Sequence, residues 1–327
     1  MEQIIVKKTF EITEEEWSQL TEGFNQEFNK EKNTKDLKAF YAATVFQFSY
    51  HAMAFSENGE MAGHTSFAPM FYSAANGQKI LTCLSGSSFV KKAFRNDIFI
   101  FKDMYSALAK AVEQEGAMAV LGVPNKNSFK YFTKLLNFTL LFYLPYYVLP
   151  LQINKLSSNK FIGAYSFLFR FFVKIYLRIL QFITLFFNPK ETKCFFTLDY
   201  PEPAFRQRFN DSYNTVKEND HNFTYKIYNE KNISTAYVFD FREKGERTFR
   251  SLIKCCRHIV NNEKADILVF VGKLDMKQIA LLKLPVNKEP QRLPLTVDLL
   301  VKENNPLFKE LSNADNWNFG LMNFDVR

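Results

Sequence analysis

The sequence predicts an α/β fold of mixed β-sheets flanked by helices and repeated in two modules. In the first half, three strand-like runs lead into a helical stretch and then into a continuous apolar strand, residues 117–123. The second half repeats this order around Ile267–Val271. An antiparallel meander that leads into a right-handed βαβ crossover produces such a mixed sheet. A chain of 327 residues is also longer than one hydrophobic core usually supports, which favours two modules.

The first module begins with a short strand and a capped helix. Thr13 and Glu16 have capping-box spacing, and apolar residues then recur at intervals of three and four. The strand-like runs that follow are residues 46–55, 61–72 and 80–90. Asn58-Gly59 and Asn76-Gly77 separate these runs and indicate hairpins.

The rest of the first module alternates between helix and strand. A helical period passes through Met104 and Leu108 and ends at Gly116. The elements predicted after it are the strand 117–123, a polar turn, a helix at 128–136 and an aromatic strand at 141–149. Because central parallel strands are covered on both faces, we expect 117–123 and Ile267–Val271 each to lie between parallel neighbours. A helix should follow each, from Ser128 and from Met276.

Three motifs occur in order between residues 87 and 138. A turn that ends in Arg95 precedes the helix, a Gly-x-Pro-Asn-x-Asn-Ser turn spans residues 122–128, and a Tyr-Phe-x-Lys-x-x-x-Phe helix begins at Tyr131. With this order and spacing, the chain resembles the GNAT superfamily, whose members transfer acyl groups from acyl-CoA to amines. It is most similar to a bacterial subgroup with tandem GNAT modules. The resemblance covers about residues 40–150.

The resemblance implies acyl-CoA, such as acetyl-CoA, as the co-substrate, and no metal. In GNAT enzymes the loop after the fourth strand offers backbone N–H groups to the CoA diphosphate at a helix N-terminus. The matching loop, 91–98, lacks the usual glycines, and its Asp97 would repel phosphate. A solvated basic turn is therefore the alternative interpretation. The candidate cofactor-binding residues are Lys91, Lys92, Arg95, Asn96, Asn125, Asn127 and Ser128.

Catalysis in this superfamily needs a base that deprotonates the amine and an acid that reprotonates the leaving thiolate. The tyrosine acid of the family aligns with Thr133. Tyr131, two residues earlier, lies about 200° around a helix and cannot simply replace it. The candidate bases are His51, Glu57 and His64, and a structural role is the alternative for each. We favour His64, whose strand should approach the acyl chain, and retain His51 and Tyr131 as further catalytic candidates.

Residues 161–187 form an apolar stretch in which Arg170, Lys174 and Arg178 recur every fourth position. On a helix these cations share a ~120° arc with other polar residues, and the remaining surface is apolar. Burying three cations disfavours a transmembrane helix. We expect either an amphipathic helix that lies on an anionic membrane surface or a linker helix that packs between the modules.

The second module, 191–327, is expected to be degenerate. Its predicted elements include helix 204–213, strands 223–228 and 233–241, helix 247–260, strand 267–271, helix 276–284 and strand 295–301. The loop 242–247 is an imperfect form of the phosphate-binding signature, and a charged turn is the alternative interpretation.

Composition limits the remaining classes of function. A chain that is 47% apolar and 23% charged is not globally disordered. The four cysteines lack metal-ligand spacing, and the first residues lack a signal-peptide pattern. We therefore expect a reduced protein in the cytoplasm or at the inner face of the membrane. The net charge of +8 comes from dispersed cations without a nucleic-acid motif, so no nucleic-acid partner is expected.

The predicted organisation is a GNAT-like acyltransferase module at 1–150, an amphipathic helical linker at 151–190 and the second GNAT-like module at 191–327. The leading hypothesis is an N-acyltransferase that moves an acyl group from acyl-CoA to an amine of a small molecule, an amino sugar or a lipid-linked precursor. One alternative is a catalytically degenerate GNAT-fold scaffold at the membrane surface. The other is a FemAB-like aminoacyl transferase.

Overall fold

The computed structural model describes residues 3–152, 166–191, 194–199, 201, 205–206, 208–210, 212–230, 232–274 and 280–324. The chain forms two compact units, neither of them contiguous in sequence. The first unit combines Met1–Tyr143, Cys194–Arg208 and Leu293–Trp317. The second unit combines Leu144–Lys193, Phe209–Arg292 and Asn318–Arg327. Each unit therefore contains residues from both halves of the sequence.

Strands and helices follow the predicted order closely. The strands are β1 Gln3–Lys8, β2 Tyr50–Phe55, β3 Met61–Ala74, β4 Lys79–Val90, β5 Ala117–Gly122, β6 Thr139–Tyr143, β7 Tyr146–Pro150, β8 Phe196–Asp199, β9 Asn214–Glu218, β10 His221–Glu230, β11 Ile233–Glu243, β12 Ile267–Val271, β13 Leu282–Lys283 and β14 Pro294–Leu299. The longer helices are α1 Glu14–Phe28, α2 Thr34–Ala42, α3 Phe99–Gln114, α4 Ser166–Ile183 and α5 Phe249–Asn262. Shorter helical segments include Tyr131–Leu135 and Phe308–Ser312.

The local signals that place these elements are confirmed. Thr13 and Glu16 form the predicted capping box at the start of α1, each side chain accepting from the backbone N–H of the other. Gly59 and Gly77 occupy the two hairpin turns with φ angles of 80° and 83°, which glycine adopts without steric cost. These turns set the register of the meander formed by β2, β3 and β4.

The sheet of the first unit has eight strands. Seven follow the order β1-β2-β3-β4-β5-β14-β6, and β8 pairs with the end of β3. Neighbours from β1 to β4 are antiparallel, β4 and β5 are parallel, and β14 is antiparallel to both β5 and β6. The only parallel pair among these strands is therefore β4 with β5.

Helices cover both faces of this sheet. Met53 of β2 packs in one core cluster with Trp17 of α1 and Tyr41 of α2. Its neighbour Ala52 belongs to a second cluster with Met104 of α3. Because alternate residues of a strand point to opposite faces, α1 and α2 lie on one side of β2 and α3 on the other. The sheet is thus buried on both faces at β2.

The sheet of the second unit has six strands in the order β13-β7-β12-β11-β10-β9. As in the first unit, one pair is parallel, here β11 with β12. Its core cluster unites Leu177 of α4, Leu252 and Ile259 of α5, and Leu268 of β12. The helix predicted within 161–187 is therefore present as α4, in the second unit, while residues 161–165 lie outside the described part of the chain.

The two sheets have the same strand order beside their parallel pairs, and at that place each takes one strand from the other half of the sequence. In the first sheet β5 is followed by β14 and then β6, and in the second β12 is followed by β7 and then β13. Each exchanged strand is antiparallel to both of its neighbours. The first half of the sequence thus supplies β7 to the second sheet, and the second half supplies β14, as well as β8 beside β3, to the first. This matched scheme supports the predicted duplication.

Some predicted details are wrong. The central strands β5 and β12 each have one parallel and one antiparallel neighbour, not two parallel ones, because the exchanged strand lies on one side. The strand predicted at 141–149 breaks at Leu144-Pro145 into β6 and β7, since proline cannot donate to a sheet ladder. The helix predicted at 128–136 is present at residues 129–135, but Tyr131–Leu135 has π-helical instead of α-helical geometry.

Two further differences concern helices. Helix α2 was not predicted. It forms because Asn33 caps it and Leu37 and Tyr41 bury one face. The helix predicted at 276–284 is contradicted at its end, where Leu282–Lys283 forms β13. Its residues 276–279 lie outside the described residues, as do residues 204, 207 and 211 of the helix predicted at 204–213. Of the other residues in that second prediction, 205–206 and 208 are helical, whereas 209–210 and 212–213 are not.

Candidate active site

A slot opens in the first sheet where β5 ends and β4 continues. The two strands pair in parallel only as far as Ser85 of β4 and Gly122 of β5. Since β4 continues to Val90, its edge beyond Ser85 has no partner in β5. A Cβ atom added to Gly86 would meet no atom within 4 Å, so the space over one face of β4 is open at this position. The backbone of β4 beyond Ser85 is therefore not paired with β5.

A β-bulge shapes β4 at the same point. The register passes from Ser66 opposite Gly86 to His64 opposite Phe89, so Thr65 of β3 faces two residues of β4. One of these, Ser87, has a φ angle of 44°, which is uncommon for a residue with a side chain. Bulges bend the strand and change the direction of its groups, and they are enriched beside active sites.

Two buried histidines support the bulge from inside the sheet. Nδ1 of His64 lies 3.1 Å from the carbonyl oxygen of Ser87, and because a carbonyl only accepts, Nδ1–H is the donor. Nε2 of neutral His64 must then accept from Nδ1–H of His51, 3.0 Å away. Nε2 of His51 in turn accepts from the Thr9 hydroxyl at 3.0 Å. The network therefore assigns one tautomer to each ring.

Both histidines are neutral. Burial lowers the pKa of His64 to about 3. Burial, and then the proximity of His64, lowers the pKa of His51 well below 6.5. Neither ring is exposed to solvent, and the aromatic rings of Trp17, Tyr41 and Phe89 surround them. This geometry suits a pair that holds the backbone of β4 in place.

In the loop after β4, the cations predicted to bind phosphate pair with carboxylates of the protein itself. Lys91 forms an ion pair with Glu60 at 3.1 Å. The carboxylate of Glu27 on α1 accepts the backbone N–H of Lys92 at 3.1 Å and contacts the guanidinium of Arg95. Arg95 Nε also donates to the carbonyl oxygen of Val90 at 2.9 Å. Glu27 therefore occupies donors that the resemblance assigns to a diphosphate.

The N-terminus of α3 is also occupied by a carboxylate. Oδ1 of Asp97 accepts the backbone N–H of Phe99 at 2.9 Å, and Asn96 beside it is exposed. The region beside Gly86 and the loop therefore differ. The space at Gly86 is open, whereas the Glu27 carboxylate already occupies donors of the loop that an anion would need. Asp97, near the helix N-terminus, adds repulsion.

The polar turn after β5 owes its shape to Asn125. Oδ1 of Asn125 accepts the backbone N–H groups of Asn127 and Ser128 at 2.9 and 3.0 Å and lies 3.2 Å from the Ser128 hydroxyl. The side chain of Asn127 is exposed. This Asx-type cap starts the π-helical turn, on which Tyr131 is 53% exposed. Thr133 instead bonds its own helix, through the carbonyl oxygen of Phe129 at 2.9 Å.

In the second unit, the place that corresponds to the slot is filled by the chain itself. The backbone N–H of Gly272 points toward β7, where it donates to the carbonyl oxygen of Pro145. Because backbone groups alternate in direction along a strand, the N–H and carbonyl groups of Val271 and Lys273 point to the opposite side, toward β11. Val271 accepts from the N–H of Leu321, and Lys273 donates to the carbonyl oxygen of Phe319. Between β4 and β5, by contrast, no isolated bridge among the described residues occupies the corresponding position.

The charged loop 242–247 of the second unit is likewise satisfied internally. Arg242 and Arg247 both pair with Asp240, at 2.6 and 2.8 Å. Burial raises the pKa of Asp240, but the two guanidinium groups outweigh this effect and lower it. Thr248 caps α5 through the N–H of Ser251. The predicted second phosphate loop therefore has the arrangement of a charged turn.

Glu27 is the residue of this region that sequence reasoning missed. It lies on α1, 65 residues before Lys92, and the motif-based alignment does not include that helix. The only available signal was a glutamate near the end of an amphipathic helix, which is usually solvent-exposed. Within the described residues, there is also no cluster of three or more side chains that could hold a metal ion.

Comparison with protein-family models and with curated protein sequences finds no match. Among solved structures, the chain is similar to the GCN5-related N-acetyltransferase from Anabaena variabilis, with 11% identity and a TM-score of 0.58 over 91% of this chain and 73% of that one. For the GCN5-related N-acetyltransferase from Kribbella flavida, the identity is 8% and the TM-score 0.59, over 91% of this chain and 72% of that one.

A third similar structure is the N-myristoyltransferase from Saccharomyces cerevisiae with bound myristoyl-CoA. The identity is 9% and the TM-score 0.53, over 97% of this chain and 86% of that one. At such low identities the similarity establishes the fold. The chain therefore has the fold of GNAT-type N-acyltransferases, with two modules in tandem.

Proposed function

We propose that the protein transfers an acyl group from acyl-CoA to an amine, at the slot between β4 and β5 of the first unit. The observation that carries this proposal is the separation of β4 from β5 beyond Ser85, next to a bulge and to open space at Gly86. An acyl thioester laid along this edge would lie where β5 no longer pairs with β4 and could accept from backbone N–H groups of β4. Fixed donors of that kind stabilise the charge that develops on a thioester carbonyl oxygen.

The similar structures support the same reaction class. Two carry the name N-acetyltransferase, and the third holds myristoyl-CoA. The amine is best sought among small molecules, amino sugars and lipid-linked precursors. Acetyl and longer acyl chains are both to be tested, because the open space beside Gly86 sets no narrow limit on the acyl chain.

The residues of the slot take different roles in this proposal. The His51–His64 pair positions the bulge through the Ser87 carbonyl oxygen and does not take the proton of the amine, since both rings are buried and their pKa values are lowered. Tyr131, exposed on the helical turn after β5, remains the candidate that can exchange a proton with solvent and substrate.

A second candidate function is a binding protein that keeps the GNAT fold without chemistry. The contacts that favour it are the carboxylates of Glu27 and Asp97 on the N–H groups of the phosphate loop. In the second unit, the backbone of Phe319 and Leu321 already bonds the end of β12, which also favours a protein without chemistry. These two functions differ in whether acyl-CoA binds at all.

Calorimetric titration of the full chain with acetyl-CoA and myristoyl-CoA separates them. We expect saturable binding of at least one thioester, and its loss in Gly86→Leu, whose side chain enters open space and so blocks the slot without a clash in the fold. Gly86→Ala is the matched control and should bind, because a methyl group leaves most of the slot free. If the parent protein binds neither thioester, or if Gly86→Leu binds as well as the parent, the proposed site is wrong.

A further inference from the structure

Helix α4 presents a wide apolar face to solvent. Its exposed large side chains include Leu168, Phe171, Phe172, Ile175, Ile179 and Phe182. The face continues past the end of the helix through Leu185, Phe186 and Phe187, which are exposed as well. Apolar patches of this extent on a protein surface mark sites of association with another molecule.

The opposite face of α4 is the one that packs on the protein. Val173, Leu177 and Leu180 are buried in the core cluster of the second unit. On a helix with about 100° per residue, Phe182 lies about 180° from Val173, so the exposed face points away from that core. The helix is thus buried on one apolar face and open on another.

The basic residues of α4 do not form the continuous polar stripe that the sequence predicts. Arg170 donates to the carbonyl oxygens of Val260, Glu263 and Ala265 at the C-terminal end of α5, so its charge stabilises that helix end. Lys174 and Arg178 have no hydrogen-bonding or ion-pair partner among the described residues. They lie along one edge of the exposed apolar face.

We propose that α4 lies in the plane of an anionic lipid bilayer, with its exposed apolar face inserted and Lys174 and Arg178 at the lipid headgroups. A bilayer fits both parts of this surface, because acyl chains accept the aromatic and aliphatic side chains while anionic headgroups meet Lys174 and Arg178. A second α4 packed on this face would cover the apolar side chains but bring no carboxylate, since Ser166–Ile183 contains no Asp or Glu. No helix within the described parts of the chain has the length and hydropathy to traverse a bilayer.

Co-sedimentation of the full chain with vesicles tests this proposal independently of acyl transfer. The vesicles are phosphatidylcholine with or without about one-third phosphatidylglycerol. We expect binding to the anionic vesicles that weakens with salt, since headgroup contacts are screened. Lys174→Gln with Arg178→Gln should weaken it about 25-fold, at roughly fivefold for each cation. The control with the same loss of charge, Lys302→Gln with Lys309→Gln, should bind like the parent protein.

The apolar contribution has its own matched pair of variants. Phe182→Glu with Phe186→Glu, at sites 62% and 81% exposed, should abolish vesicle binding and keep the circular dichroism of the fold. Phe10→Glu with Phe40→Glu, at sites 70% and 57% exposed, should bind like the parent. The proposal is overturned if the parent stays in the supernatant, if it binds neutral vesicles equally well, or if light scattering shows a dimer that only the Phe182 and Phe186 variant dissociates.

Discussion

Replacing Glu27 by glutamine should tighten the binding of acyl-CoA. Oε1 of Glu27 lies 3.1 Å from the backbone nitrogen of Lys92, so a phosphate oxygen that bound this N–H would come within about 4 Å of the carboxylate. At that distance two unit charges repel by about 1 kcal/mol in water and about 4 kcal/mol at an effective dielectric constant near 20. The Glu27 side chain is 14% exposed, between these limits. Removing its charge should therefore favour binding by about 2 kcal/mol, or roughly 30-fold.

The assay is calorimetric titration of CoA and acyl-CoA into the parent protein and its variants. Arg95→Ala should act in the opposite direction and weaken binding about tenfold or more, because it removes a cation that can pair with phosphate. Glu22→Gln is the control, since Glu22 is exposed on the same helix and its loss changes the net charge equally. Unchanged or weaker binding by Glu27→Gln, with parent-like binding by Glu22→Gln, would refute the competition between Glu27 and the diphosphate.

The remaining predictions concern stability. Arg170→Gln should lower the free energy of unfolding in urea by about 2–3 kcal/mol, because three carbonyl groups at the end of α5 lose a charged donor, whereas Arg178→Gln should change it by less than about 0.5 kcal/mol. In the folded state the pKa of His64 is lowered to about 3, and the pKa of His51 is lowered as well. The unfolded chain therefore binds protons first as the pH falls from 6.5 toward 3, and the folded state should lose about 1.4 kcal/mol of stability per histidine and pH unit. Melting temperatures measured across this range should show that pH dependence, and the double variant His51→Gln with His64→Gln should show a weaker one. The same pH dependence in parent and double variant would contradict a neutral histidine pair. Gly272→Ala should lower the free energy of unfolding in urea by about 2 kcal/mol or more, since the φ angle of Gly272 is 138° and a Cβ would lie 2.8 Å from the backbone at Gly320. An unfolding midpoint equal to that of the parent would disprove this close approach of the two backbones.

Local sequence signals predicted most elements of the fold, because their physical causes are local. The capping box at Thr13 and Glu16 and the turn glycines Gly59 and Gly77 act within a few residues of the chain. Continuous apolar runs likewise identified β5 and β12 as central strands. Helix α2 was missed because its buried residues, such as Leu37, are outnumbered by charges that reach solvent.

The exchange of β7 and β14 between the sheets could not be predicted in this way. Both strands are apolar runs, and alternation of side chains indicates which face is buried but not which remote strand is the neighbour. The one local signal was Pro145, which interrupts the run 141–149 and so allows its two parts to join different sheets. Pairing partners distant in sequence are set by tertiary packing, which the pattern of a single strand does not encode.

The candidate site shows the same division between local and remote causes. The turn at Asn125 and the loop cations were found from motifs, since these residues are adjacent in sequence. Their electrostatic partners, Glu27 and Glu60, come from other elements of the first unit. The mutual hydrogen bond of His51 and His64 depends on the register of β2 and β3, which places them on neighbouring strands.

Amide hydrogen exchange of the full chain with and without a bound acyl-CoA tests whether acyl-CoA binds at the free edge of β4. We expect the thioester to slow exchange in peptides that cover residues 85–90, because the free edge of β4 gains a partner there. Peptides that cover residues 239–243 of β11 should be unaffected, since the corresponding place in the second unit is filled by the chain itself. Protection confined to the second unit, or saturating acyl-CoA without any protection at 85–90, would contradict the assignment of the acyl-transfer site.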